Sequence, residues 1–596
     1  MKKLYKILVC FLAVSMLNAC EDDKFLEEHP KTTYTTDNFF TTSSQVDLAV
    51  ISCYSYVRSI FNMCKQNNFA CEVLRGNNGS DMFTASFANN GQIFTDYSLI
   101  SADHEVFKNI YAWWYELISK ANLVVYAANL DNIQWSSSED KAYALAQARF
   151  FRAWAYKNLG EEFGGVPIVD KFVDEAHYDY KRSTRIETYQ FAIDEMEAIL
   201  NDLPETTPVH GRLVKAAALH NLSELYLAKG IVLEQDGNSG DAKTCYSTSI
   251  KYADKVINGG TYSLMTSRFG SRKDDDPVFY FAEKANLQTP DHLYTAVGVN
   301  IKGNCYWDLF QQDNQDYQDG NRESIWTIQC DVEAAYGGDN QARLCYSRMF
   351  SPWFRKVNEN FAGTMEDVGG SAVAYIVPTY YTRDIIYEGK WADDMRNSDA
   401  VYRRTFVGNV IGAPLYGKVV PWDQLYQSWR PVDDETDLIR TRMFPASCKT
   451  YMDIYPDASR GGNKQHIFRD DYMIRLPETI LLRAEAKMRN GDNAGAAEDI
   501  NMLRDRSQCE YKVTSSDVCI DLILDERARE LVYEEMRWNT LLRMGGSVAV
   551  DRIKKYGKCF GYTSVGSVKD FNLWPIPQSV IDTNKDIPME QNPGWN

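Results

Sequence analysis

The 596-residue chain lacks most of the features that announce a chemistry. Its seven histidines, His29, His104, His177, His210, His220, His292 and His466, include no pair four residues apart, so the H-E-x-x-H zinc motif is absent. There is no G-x-S-x-G elbow, no phosphate loop and no dinucleotide fingerprint. The thirteen cysteines form no C-x-x-C, and with Cys10 and Cys20 set aside the remainder is odd and cannot all pair. A disulfide framework and a zinc knuckle are thereby excluded, and buried thiols packed as small apolar groups are expected. Basic charge is short as well: 64 Lys and Arg stand against 82 Asp and Glu, a net −18. Nucleic acid, which needs basic surface for its phosphates, is excluded as a partner. Long apolar runs are missing, since the stretch from Ile7 to Leu17 is too short to span a bilayer and no later run approaches that length.

What is present begins at the N-terminus. Lys2, Lys3 and Lys6 precede that apolar stretch, and Ala19 supplies a small residue before Cys20, the pattern of a cleaved secretion leader over residues 1–19. Leu17-Asn18-Ala19-Cys20 resembles the lipobox of bacterial lipoproteins, which implies that Cys20 is lipidated and becomes the new N-terminus. Two or more acyl chains give stable tethering, at about 0.8 kcal/mol per buried methylene. Residues 20–42 are polar and aperiodic and read as a lipidated tether.

Periodicity organises the rest. Val106, Ile110, Trp113, Leu117, Ala121, Val124 and Ala128 recur at helical spacing, and Leu145, Ala148, Phe151, Ala155 and Leu159 mark a second helix ended by Gly164-Gly165 and Pro167. Further helices are expected from about Leu213 to Leu233, over Tyr246 to Ile257, Ile474 to Asn490, Asn493 to Arg506 and Asp517 to Arg543. Small residues where two antiparallel helices would touch, with Gly491-Asp492 as the turn, resemble a tetratricopeptide unit. Residues 266–470 break this rhythm with Gly, Pro, Asn and Asp between short segments such as the strand-like Glu323 to Ile328. The expected fold is mainly α: a tetratricopeptide-like scaffold of helical pairs at 43–265 and 471–545, an irregular loop-rich region with short strands at 266–470, and an irregular end at 546–596. The helix Glu526 to Arg537 interleaves both charges and reads as solvated and salt-bridged. The loop Asp313 to Glu323 fails the EF-hand pattern and reads as a turn. No metal and no cofactor are expected.

Several segments resemble the SusD/RagB family of Bacteroidetes surface lipoproteins. They are Phe25-Leu26-Glu27-Glu28 before Pro30, YELISKAN ending at Asn122, and ARFFRAWAYKNLGEEFGGVPIV from Ala148. RLPETILLRAEAKMRNGD from Arg475, ILDERARELVYEEMRWNTLLRMG from Ile523, WPIPQSVIDTN and the terminal QNPGW follow in the family's order. Two positions depart from it, Glu535 where the family usually has glycine and Thr540 where aspartate is common. The resemblance implies a lipid anchor at the outer face of the outer membrane, with Glu21-Asp22-Asp23 similar to a surface-export signal. It also implies a TonB-dependent β-barrel transporter (SusC-like) as partner, over which the protein sits as a lid.

The ligand expected from the residues is an oligosaccharide. Six of the thirteen tryptophans, Trp307, Trp326, Trp353, Trp391, Trp422 and Trp429, fall between residues 300 and 430, where loops can present them. Flat rings beside polar side chains suit the apolar faces and hydroxyl rims of sugars. Tyr306, Trp307, Trp353 and Trp391 are candidates of this kind; Trp326, on an apolar strand, reads as core. In relatives the site also draws on the loop before the long helix, which here offers Arg75, Asn77, Asp81, Phe83 and Tyr97. Each of these is also readable as packing or turn structure. The expected function is non-enzymatic capture of a glycan and its delivery to the transporter, with affinity between about micromolar and millimolar. A peptide-capturing protein of the same architecture and a surface glycosidase are the alternatives, since two carboxylates across a cleft would be invisible among 82 acidic residues.

Overall fold

A computed structural model describes residues 39–61, 71–85, 92–94, 96–277, 279–282, 294–297, 301–331, 333–334, 344, 346–352, 373–407, 418–427, 443–451, 467–557 and 569–595. The leader, Cys20, most of the tether, Trp353 and Trp429 lie outside these residues.

Local signals set the helix boundaries. Helix α1 (Ser43–Arg58) opens on a capping box in which the Thr42 hydroxyl accepts from the Gln45 amide and the Gln45 side chain accepts from the Thr42 amide. Helix α2 (Glu105–Ala128) buries all seven residues of its expected stripe. Helix α3 (Ser138–Glu162) starts at the Ser137 cap and ends where Gly164 takes φ +76°, the left-handed conformation glycine adopts without strain. It is the central helix: from Gln147 to Glu162 every residue except Arg149 is buried, a wider coverage than the single apolar face read from its spacing.

Helices α4 (Arg185–Ala198), α5 (Lys215–Gln235) and α6 (Ser239–Ile257) follow, and each packs on its predecessor. Gly230 lets α5 and α6 approach closely, because a Cβ there would lie 2.6 Å from the Tyr246 ring. The next long helices, α7 (Leu476–Arg489) and α8 (Asn493–Arg506), continue the series, with α7 against α6 and α8 against α7. The two helical parts read from the sequence are thus one stack, and the irregular region is an insertion between α6 and α7.

Within the insertion and its flanks the described strands form two-stranded antiparallel pairs. Strand β4 (Ser324–Ile328) pairs with β10 (Asp471–Arg475), which brings the insertion's return directly onto the start of α7. Trp326 on β4 is core as expected, its ring edge-on to Phe150 at 5.5 Å and to Trp154 at 5.7 Å. The Asp313 to Glu323 loop is a turn, with Gly320 at φ +93°. Among the described residues Cys53, Cys245, Cys305, Cys330, Cys509 and Cys519 are free thiols, and Cys53, Cys245, Cys305 and Cys509 are buried.

Two expectations need correction. The helix expected from Asp517 to Arg543 is broken into α9 (Ile520–Leu531) and α10 (Arg537–Met544), and Tyr533 between them has φ +63°. The charged residues from Glu526 to Arg537 are also interior, with Glu526, Glu530 and Arg537 fully buried. Alternating charge reads the same on a solvated face and in a core, and here the opposite charges come from the insertion (Arg396, Lys449 and Arg475), from α7 and α8 (Glu478 and Arg506) and from Asp81.

Candidate functional site

The residues expected to touch a ligand mostly lie beneath the surface. Arg75 is buried, pairs with Asp471 at 2.9 Å, donates to the Tyr346 hydroxyl at 2.5 Å and lies over the Phe61 ring. Asn77, at φ +52°, donates to the Glu535 carbonyl (2.9 Å) and accepts from the Arg537 amide (2.6 Å). Asp81 is enclosed by Arg537 (2.8 Å) and Arg552 (3.0 Å). Burial opposes its charge, but the two guanidiniums outweigh this and hold the carboxyl below its ordinary value. Phe83 on β1 (Phe83–Ala85) packs on Tyr533, and the Tyr97 hydroxyl donates to the Gly79 carbonyl.

Tyr306 donates to the Glu530 carbonyl at 2.7 Å under the Arg506 guanidinium, and Trp307 is stacked by Arg272 at 4.7 Å. These seven side chains are no more than 2% exposed, so direct ligand contact is corrected to a supporting role. Sugar-like composition, aromatic beside charged, also describes a polar core. Trp391 differs: it is half-buried, with Arg529 at 4.0 Å and Arg504 at 4.6 Å from its ring.

Beside Tyr306 lies an ion network centred on Glu530, whose carboxylate meets Arg506 (2.5 Å), Arg396 (3.0 Å) and Arg475 (3.2 Å). Burial works against the charge, yet these guanidiniums keep the carboxyl well below the usual range. Arg475 and Arg506 also share Glu323, while Lys449 donates to the Glu530 and Val532 carbonyls at the C-terminal end of α9. The network rivets the insertion to the stack and makes a rigid base for the loops above it.

On the insertion, two half-exposed aromatics meet around one guanidinium. Strand β5 (Ile376–Pro378) leads into the helical turn Tyr380–Arg383, and β8 (Val419–Pro421) leads into Trp422. The Arg383 guanidinium lies 5.1 Å from the Tyr380 ring and 5.3 Å from the Trp422 ring, and pairs with Asp384 at 2.6 Å. Two rings, a planar donor and a carboxylate at the surface form a platform that can stack a flat apolar face and bond its rim. Trp422 was among the tryptophans counted in the sequence; Tyr380 and Arg383 carried no signal of their own. For a cation, His210, Asp316 and Asp319 place three ligand atoms within 4.8 Å of one another, although Asp316 already accepts from Thr327 and Gln329.

A separate cavity of about 540 Å³ opens on the helical side. Tyr111, Tyr115 and Ile118 of α2 form one wall, the chain from Pro167 to Tyr180 another, and the short helix Gln578–Thr583 with Met589 a third. The lining is mainly apolar. Its signal was in the sequence, because Tyr111, Tyr115 and Ile118 make a second stripe on α2, at i, i+4 and i+7, beside the core stripe.

Comparison with known proteins gives the fold a family. Residues 322–595 match the model of the SusD family, and residues 24–227 match one described as "Starch-binding associating with outer membrane". The chain is 23% identical over 620 residues, the whole of both sequences, to "SusD-like protein P2" of Formosa agariphila. A SusD homolog from Bacteroides thetaiotaomicron superposes with TM-score 0.65 at 16% identity, covering 95% of this chain and 100% of its own. Surface glycan-binding protein A from the same organism, in complex with laminarihexaose, gives TM-score 0.60 at 17% identity, covering 93% and 100%. Among the described residues no helix is long and apolar enough to cross a membrane. With family models matched on either side of the insertion's start and the fold matched almost end to end, the chain belongs to the SusD/RagB family.

Proposed function

We propose that this protein is a lipid-anchored surface protein that captures an oligosaccharide without cutting it and passes it to a TonB-dependent transporter in the outer membrane. The observation that carries the glycan reading is the Tyr380–Arg383–Trp422 platform, half-exposed on the loop-rich insertion. Membership of the family supports it, as do the glycan named with one structural neighbour and a second neighbour titled "Laminarin binding SusD-like protein". The anchor rests on Cys20 and the leader before it, and the transporter on the family resemblance.

One sugar stacked on a ring is stabilised by about 0.5–1.5 kcal/mol, so a platform of two rings yields the weak capture that a donor of cargo needs. Titration of laminarihexaose, maltohexaose and a glycan panel into the mature chain tests this. Trp422→Ala is expected to weaken the best ligand about tenfold, with melting temperature unchanged. Equal affinity of wild type and Trp422→Ala would remove the platform from the site, and shortened oligosaccharide products would replace capture by hydrolysis.

A further inference from the structure

The cavity on the helical side has walls that are tied to one another. The Tyr115 hydroxyl donates to the Pro167 carbonyl at 2.6 Å, and the Asn122 side-chain amide donates to the carbonyls of Val169 and Lys171, both at 2.9 Å. Arg152 donates to the Asn122 side-chain oxygen at 2.8 Å, which fixes the orientation of that amide, and Asn584 donates to the Tyr180 carbonyl at 2.8 Å from the third wall. An occupant meets these walls at little ordering cost. The ionisable lining is of one sign. Lys108, Lys171 and His177 stand at the exposed rim, and among the described residues no Asp or Glu lines the cavity, in a chain that carries 82 of them. Asp179, 3.9 Å from His177, lies outside the lining. An apolar interior with a basic rim selects a segment in which large apolar side chains adjoin carboxylates.

One segment of this chain has that composition and lies within reach. Between Cys20 and Asn38, Phe25 and Leu26 are the only adjacent large apolar residues, and Glu27-Glu28 follow them directly. The described chain starts beside the helix that forms the cavity's first wall: Phe40 is buried, and its carbonyl accepts from the Asn132 side chain at 3.0 Å, just beyond the end of α2 at Ala128. From Ala128 back to Lys108, the farthest cavity residue on α2, the helix rises about 30 Å, whereas residues 26–38 reach about 43 Å when extended.

We infer that Phe25 and Leu26 of this chain dock in the cavity, with Glu27 and Glu28 against Lys108, Lys171 and His177 at its rim. Both large side chains then leave water for an apolar site of about 540 Å³. A short linker holds the segment at an effective concentration on the order of millimolar, so that weak contacts suffice. Docking also sets the length of the tether. Residues 21–24 span about 13 Å, against about 60 Å for residues 21–38 fully extended, so the docked form keeps the helical stack close to Cys20. That consequence for the membrane rests on the anchor proposed above; the docking itself does not.

Lys24 and Lys31 flank the segment, so trypsin reads its exposure in the full mature chain. Two variants change the cavity and leave the cleaved sequence intact: Ala112→Trp, which fills it from an exposed position, and Lys108→Glu with Lys171→Glu, which reverses the rim. Cleavage after Lys24 and Lys31, timed by mass spectrometry, is expected to be at least tenfold slower in the wild type than in either, with melting temperature and glycan affinity unchanged. Phe25→Ala with Leu26→Ala should be cut as fast as they are. Equal rates in the wild type and all three variants would overturn the docking. Protection lost on charge reversal but kept in Ala112→Trp would leave only an ion contact at the surface and overturn the cavity as the site. Protection that rises with protein concentration would place the segment on a second copy of the chain and overturn the intrachain form.

Discussion

Replacing Glu530 by alanine removes the carboxylate on which three buried guanidiniums converge, those of Arg396, Arg475 and Arg506. Each keeps a second carboxylate, Asp394 for Arg396, Glu534 for Arg475 and Glu323 for Arg506, so no cation is left wholly alone. The loss nevertheless leaves charge-assisted donors aimed at a void from which water is excluded. Breaking a buried pair of this kind costs about 3–5 kcal/mol, whereas the exposed pair Lys215–Glu205 contributes about 0–1 kcal/mol. At about 2.1 cal/mol/K of unfolding entropy per residue, 596 residues give about 1.25 kcal/mol/K, so Glu530→Ala should lower the melting temperature by about 2.5–4 °C. Glu205→Ala should leave it within about 1 °C. Differential scanning calorimetry of the two variants measures both, and hydrogen exchange should show added opening in β4 and β10, which the network joins to α9. Equal shifts for the two variants, or exchange unchanged in β4 and β10, would refute the idea that this network rivets the insertion to the stack.

Three further outcomes follow from the same structure. Burial pushes the Glu72 carboxyl up to about 7. Below the ordinary carboxylate range both folded and unfolded states are protonated and Glu72→Gln changes nothing. Between about 4.5 and 7 the unfolded state ionises first, so the wild type loses stability relative to the variant, on the order of 2–3 kcal/mol by pH 8, which denaturation at pH 4 and pH 8 checks. Glu535 and Thr540, the two departures from the family pattern, touch each other at 3.1 Å and share Arg527. Glu535→Gly alone should cost about 3 kcal/mol or more, and adding Thr540→Asp should return part of it, seen as a favourable coupling in a double-mutant cycle. Trp307→Ala should cost about 3–5 kcal/mol of stability with no selective change in glycan affinity, the reverse of Trp422→Ala, because Trp307 is fully buried.

The helical scaffold was legible because its signals are local. The stripe on α2, the Gly491-Asp492 turn and the glycine pair after α3 each act within one or two turns, and the structure places α8 at the expected Asn493–Arg506. The joining of the two helical parts was not legible, since the contact of α6 with α7 spans the whole insertion and no short pattern encodes it. The break at Tyr533 was hidden because LVYEEM carries no glycine or proline, and the chain is turned there by long-range ties such as Asn77 to the Glu535 carbonyl. The site was the least legible part. Trp307 and Trp422 look alike in sequence, each beside an aspartate, yet one is sealed under Arg272 and the other stands half-exposed beside Arg383. Exposure depends on which loop lies over the ring, and spacing does not carry that. Asn122 shows the opposite case: a motif residue noticed for its family resemblance has a plain physical task, clamping the carbonyls of Val169 and Lys171.

Non-catalytic glycan capture on the insertion is tested most directly by isothermal titration of the mature protein with laminarihexaose, maltohexaose and the glycan panel, followed by chromatography of each sugar after overnight incubation. At least one glycan is expected to bind with Kd between about 1 μM and 1 mM and to be recovered intact. Binding to none of them, or recovery of shorter products, would contradict it.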